Sequence, residues 1–130
     1  MLQYHAAGFR AGGADLIAIC DMNEVAAKSA AEKYQVPHVF SDSAKMLSEL
    51  TDLDAISIIT PNRTHCPLAI QVLEAGKHVF CEKPPALNAT EVNEMKLASE
   101  KAGKTLMFNF NNRALSLIHI SEPTRPNEIA

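Results

Sequence analysis

The chain has 130 residues, 47% of them apolar, and its 12 basic and 15 acidic side chains give a net charge of -3. That length supports one domain with a real core, and basic residues scattered through an acidic chain argue against nucleic acid or an anionic membrane surface as the partner. No apolar run approaches the roughly 20 residues of a membrane helix, and the start Met1-Leu2-Gln3-Tyr4-His5 lacks the basic and apolar blocks of a secretory signal.

Residues 1–11 follow a helical period through Leu2, Ala6, Phe9 and Arg10 and stop at Gly12-Gly13, with no strand ahead of them. Strand and helix then alternate. Leu16-Ile17-Ala18-Ile19-Cys20 predicts a buried strand, and Asn23 caps a helix running to Lys33-Tyr34 that Pro37 closes. His38-Val39-Phe40 is a weaker strand, and Ser41 to Ser43 offer caps for a helix bearing Met46, Leu47 and Leu50. Ala55-Ile56-Ser57-Ile58-Ile59 is rich in β-branched residues, as strands covered on both faces are. Thr64 is expected to cap the next helix, with Pro67 in its first turn, Leu68, Val72 and Leu73 on its apolar face and Gly76 at its stop. Val79-Phe80-Cys81 is the fourth strand. Asn88 with Glu91 makes a capping-box start for a helix ended by Gly103, and Thr105-Leu106-Met107-Phe108 is the fifth strand. This alternation implies an α/β fold with a doubly wound parallel sheet.

Residues able to do chemistry fall just after strands, at the carboxyl ends where open α/β sheets bind ligands. His78-Val79-Phe80-Cys81 stops abruptly in Glu82-Lys83-Pro84-Pro85, and proline ends the ladder and presents the carboxylate and ammonium. Thr60-Pro61-Asn62-Arg63-Thr64-His65 places hydroxyl, amide and imidazole after the strongest strand. Asp21 follows a strand where, in a dinucleotide fold, a carboxylate accepts from the adenosine ribose hydroxyls. Met22 and Asn23 beside it would not neutralise a 2′-phosphate, which favours NAD over NADP. Taken singly, the stretches at Glu82-Lys83 and at residues 60–65 read equally as loop or cap chemistry, and an acid such as Asp21 is more often a turn or helix-start residue. Gly8, Gly12, Gly13, Gly76 and Gly103 build no G-x-G-x-x-G, so the turn that cradles a pyrophosphate is expected, with its strand, ahead of the first helix. Cys20, Cys66 and Cys81 lack Cys-x-x-Cys spacing and read as reduced thiols of a cytoplasmic protein, with no metal site.

The ordered set Asp21, Thr60-Pro61-Asn62 with His65, Glu82-Lys83-Pro84, and Asn109-Phe110-Asn111-Asn112-Arg113 resembles the nucleotide-binding half of the Gfo/Idh/MocA oxidoreductases, over residues 1–114. The resemblance implies a Rossmann-type domain of an NAD(P)-dependent dehydrogenase, with a sugar or polyol as the small-molecule substrate and a homo-oligomeric parent protein. It implies that Lys83 polarises the substrate hydroxyl while a hydride moves to or from the nicotinamide, an ammonium beside a developing alkoxide being stabilising. By the same resemblance Glu82 contacts the ribose near the nicotinamide and Pro84 aims Lys83. Thr60, Pro61, Asn62 and His65 line the cofactor cleft, and Asn111 and Arg113 lead towards a substrate domain. Ala114 stands where family members often carry an aromatic residue.

Leu115-Ser116-Leu117-Ile118-His119-Ile120-Ser121-Glu122-Pro123-Thr124-Arg125 fits no further strand–helix unit and resembles the translation of a transposase adapter used in preparing sequencing libraries. Residues 115–130 are therefore set apart from the domain. With neither the glycine turn nor a substrate domain, the isolated chain is expected to be inactive. The rival functions are a nucleotide-sensing module without catalysis and, more remotely, a receiver-like signalling domain, which would want several acids at strand ends.

Overall fold

A computed structural model describes residues 2–109 of the chain. Among these, five α-helices and five β-strands alternate strictly, and the chain divides into two compact units, one up to Leu53 and one from Asp54 onward.

In the first unit, α1 (Leu2–Ala11) precedes β1 (Ala18–Cys20), α2 (Glu24–Tyr34), β2 (His38–Phe40) and α3 (Ser43–Glu49). β1 and β2 pair in parallel, from Ala18 opposite His38 to Cys20 opposite Phe40. The apolar run from Leu16 was expected to be strand throughout, but only its last three residues pair, because β2 is itself three residues long. Asn23 caps α2 as expected, its side chain accepting from the Ala26 N–H at 3.1 Å. α3 is capped by Asp42, whose carboxylate accepts from the Ala44 N–H at 2.9 Å, and not by either flanking serine. The α2 end is closed by Gln35 in the left-handed region, at φ 54°. Small and flexible side chains make this core: Ala6, Ala27, Ala31, Val36, Met46 and Leu47.

In the second unit, β3 (Ala55–Ile58) is followed by a 3-10 turn (Asn62–Thr64), α4 (His65–Glu74), β4 (His78–Glu82), α5 (Ala89–Ala102) and β5 (Leu106–Asn109). The strand order is β3-β4-β5, all parallel, so β4 has a partner on each side. Fully buried Leu73, Val79, Cys81 and Met95 come from α4, β4 and α5 and pack the centre. α5 begins as the spacing predicts. Asn88 Oδ1 accepts from the Glu91 N–H at 2.9 Å, while the Glu91 carboxylate reaches back one residue further, to the Leu87 N–H at 2.8 Å. Gly103 closes the helix at φ 66°, a conformation that favours glycine.

The ends of β3, β4 and β5 and the cap of α4 correct the sequence expectation: β3 stops at Ile58, one residue before the expected Ile59. β4 extends through Glu82, and β5 runs one residue later than expected, to Asn109. Thr64 precedes α4 but does not cap it with its side chain; the hydroxyl turns back to the Pro61 carbonyl (2.7 Å) and the Thr60 hydroxyl (2.6 Å), because the 3-10 turn brings those groups closer than the helix amides. Parallel strands with intervening helices make the architecture Rossmann-like.

Candidate functional site

In the second unit, the carboxyl ends of β3, β4 and β5 gather most of the chemistry-bearing side chains. Register explains how. Ile58 of β3 lies opposite Cys81, and Glu82 of β4 lies opposite Asn109 of β5, so two strands end in polar residues at the edge where the loop from Ile59 to Thr60 leaves β3. Lys83 comes immediately after β4 and is exposed, as are Pro84, Thr60 and Pro61, while Asn62 is half-buried.

Glu82 is only 4% exposed. A buried carboxylate needs partners, since desolvating its charge is costly. Its Oε1 accepts from the Asn109 side-chain amide at 2.7 Å and its Oε2 from the Lys83 N–H at 3.0 Å. His65, the first residue of α4, is 1% exposed. Its Nδ1 lies 2.7 Å from the Pro84 carbonyl and its Nε2 lies 2.7 Å from the Thr60 carbonyl. The imidazole thus joins the loop after β3 to the turn after β4, whose Lys83–Pro84 bond is cis.

The structure therefore brings Thr60, His65, Glu82, Lys83 and Pro84 together, and Asn62 joins them through its carbonyl, which accepts from the His65 N–H. Pro61 lies in the same loop, its carbonyl accepting from the Thr64 N–H at 2.9 Å. Asp21 belongs to the first unit. It is exposed beyond β1; its N–H donates to the Phe40 carbonyl at 3.0 Å and its Oδ1 accepts from the Asn23 N–H at 2.9 Å. Asn111 and Arg113 lie outside the described residues. Asn109 had no assigned role in the sequence. Its position at the head of a polar run was visible, but pairing with Glu82 is a matter of strand register.

Cys81 sits inside β4, fully buried, next to Glu82. Burial pushes its thiol up to about 12, and the Glu82 charge adds to the effect. Cys66 is raised by burial first, then by Glu91 and Glu94, and Cys20 by burial, then by Asp42 and Asp21. Neutral thiols are poor nucleophiles and metal ligands, so all three behave as small apolar side chains. Among the described residues no helix is long and apolar enough to cross a membrane, and no group of three His, Cys, Asp or Glu gathers around a metal position.

Each unit offers chemistry of its own: in the first, Asp21 is an exposed acceptor beyond β1, and in the second, Thr60 and Lys83 form an exposed polar edge after β3 and β4, while the sequence contains no glycine-rich turn of the kind that cradles a pyrophosphate.

Comparison with known proteins bears on the family and the fold. The profile of the family described as "Oxidoreductase family, NAD-binding Rossmann fold" (GFO_IDH_MocA) matches residues 1–110. D-glucoside 3-dehydrogenase of Escherichia coli is 39% identical over 99 residues, which are 76% of this chain and 28% of that protein. Myo-inositol 2-dehydrogenase of Thermotoga maritima is 35% identical over 98 residues, 75% of this chain and 29% of that protein. Among solved structures, the WlbA dehydrogenase of Chromobacterium violaceum, in complex with NADH and UDP-GlcNAcA, superposes with a TM-score of 0.84 at 29% identity, covering 98% of this chain and 37% of that one. The chain spans under a third of the length of these two curated relatives, 28% and 29%. Matched over nearly all its described length by one family's cofactor-binding part, the chain belongs to the Gfo/Idh/MocA oxidoreductases and carries their NAD-binding Rossmann fold.

Proposed function

We propose that the protein from which this chain comes is an NAD(P)-dependent dehydrogenase acting on a hydroxyl-bearing carbon of a sugar, polyol or related compound. The observation that supports this most is Lys83, an exposed ammonium just beyond the carboxyl end of β4, whose neighbours Glu82 and Pro84 meet Asn109 of β5 and His65 of α4. Relatives named for a D-glucoside and for myo-inositol support the substrate class.

When bound, the nicotinamide accepts or supplies a hydride. Lys83 meets the substrate hydroxyl and stabilises alkoxide charge as the hydroxyl proton passes to a base in the substrate-binding portion of the parent protein. Asp21 accepts from the adenosine ribose hydroxyls, and its own charge disfavours a 2′-phosphate, so NAD is preferred to NADP. Thr60, Pro61 and Asn62 border the cofactor, Pro84 shapes the turn, and Asn111 and Arg113 extend towards the substrate. His65 and Glu82 belong to the same site. Residues 1–114 form the cofactor-binding part, and residues 115–130 are no part of it. The pyrophosphate cradle and the substrate-binding portion lie elsewhere in the parent protein, which we place in the cytoplasm as a homo-oligomer; its unpaired cysteines support the compartment.

The test begins with the complete gene. The purified parent protein is assayed with NAD and NADP against a panel of sugars and polyols, and Lys83→Ala is expected to lower kcat by about 10²–10⁴-fold with NAD binding retained. Full activity in that variant would remove Lys83 from the chemistry. The 130-residue chain alone is expected to show no turnover, and NAD-linked sugar oxidation by it would contradict the proposed division of the parent.

A further inference from the structure

We infer that Asn109, Glu82 and His65 are positioning residues that clamp the backbone on either side of Lys83, so that this lysine is aimed by groups on β4, β5 and α4. The catalytic part of this inference rests on Lys83 being the group that meets substrate, as proposed above.

On one side, the Lys83 N–H donates to Glu82 Oε2 at 3.0 Å. The carboxylate cannot swing away without abandoning Asn109, whose amide donates to Oε1 at 2.7 Å from the register-matched position on β5. On the other side, the Pro84 carbonyl lies 2.7 Å from His65 Nδ1, and the opposite ring nitrogen lies 2.7 Å from the Thr60 carbonyl. A neutral imidazole donates to one of these carbonyls, and a doubly protonated ring donates to both. Both Glu82 and His65 are more than nine-tenths buried, at 4% and 1% exposure; both Glu82 oxygens accept hydrogen bonds, and both His65 ring nitrogens face backbone carbonyls. Those atoms hold the turn and are not displayed to an incoming ligand.

The need for such a clamp follows from lysine itself. Its four-carbon stem has many rotamers, and nothing in the side chain fixes its direction. A catalytic group must be held to within about 0.5 Å of its working position, so the aim has to come from the backbone that carries it. Asn109 acts on Lys83 only through Glu82, which makes it the most informative position: it is half-buried and at a strand end, where substitution spares the core.

Two readouts separate the clamp from the enzyme assignment. In the 130-residue chain, amide hydrogen exchange at Lys83 is followed in Asn109→Ala, Asn109→Asp and His65→Phe. Asn109→Asp keeps the shape but turns a donor into an acceptor facing a carboxylate. Exchange at Lys83 is expected to quicken about tenfold in Asn109→Ala and at least as much in Asn109→Asp, with the α4 amides unchanged in both. A merely space-filling Asn109 predicts the reverse order. Should His65→Phe fail to fold, the two Asn109 variants still decide. Unchanged exchange at Lys83 in both would overturn the clamp, whatever Lys83→Ala does to turnover. In the parent enzyme, Asn109→Ala is expected to lower kcat about 10- to 100-fold with KM for NAD within twofold. Its effect should largely vanish in a Lys83→Ala background, because residues acting as a unit are not additive. Full additivity there would overturn the coupling to Lys83.

Discussion

The two units are built from the same alternation of strand and helix, yet they reach different degrees of order. β4 in the second unit has strands on both sides and buries Val79, Cys81 and Glu82. Among the described residues β1 and β2 in the first unit pair only with each other, and neither strand contains a fully buried residue among Ala18–Cys20 and His38–Phe40. A parallel strand derives its stability from neighbours on both edges and cover on both faces. The difference therefore lies less in local sequence than in how many partners each strand finds. It also sets apart two of the exposed polar residues: among the described residues Lys83 follows a strand with two partners, and Asp21 follows a strand with one.

The sharpest way to break this comparison is to hollow out the better-packed unit. Leu73→Ala removes a side chain with no exposed surface from the α4 face and is expected to cost about 2–5 kcal/mol, read by denaturant unfolding. A loss below about 1 kcal/mol would mean that the second unit is packed no better than the first. A smaller effect separates the units by pH. Because the folded Cys81 thiol is raised to about 12 from an ordinary 9.0, unfolded chains lose that proton first as pH rises. Stability contributed by the neutral thiol is complete below pH 9.0 and is lost progressively towards about 12. Cys81→Ala should flatten that alkaline decline, measured by urea unfolding at stepped pH; an unchanged slope would contradict the burial. In the same range of pH, half-buried Cys20 should be alkylated in the native state ahead of buried Cys66 and Cys81.

The smallest expected change strengthens the weaker unit. Gln35 closes α2 at φ 54°, where a side chain is strained and glycine is not. Gln35→Gly is expected to add about 1 kcal/mol and to slow amide exchange in α2, with no effect on α5, whose end already carries Gly103 at φ 66°. Destabilisation by Gln35→Gly would show that the Gln35 side chain contributes more than its backbone strain costs.

Much of this molecule was legible in the chain. Apolar runs at the strand period, helix stops at Gly76 and Gly103, and caps at Asn23 and Asn88 are local signals, each acting over a few residues. The order of polar stretches after strands was equally local, which is why Asp21, Thr60 and Lys83 could be singled out beforehand. Thr64 misled because a hydroxyl before a helix has competing partners, and only the 3-10 turn decides among them. Asn109 was passed over, and the engaged side chains of Glu82 and His65 were unforeseen, because they depend on strand register and on a histidine meeting a carbonyl 19 positions away. Sequence alone thus determined the elements, their order and the strand ends that bear chemistry, since these depend on propensity and spacing. Tertiary structure alone decided which of those groups face outward and which are buried and hydrogen-bonded beside Lys83, since burial and hydrogen-bond partners are set by segments that meet only when the sheet forms.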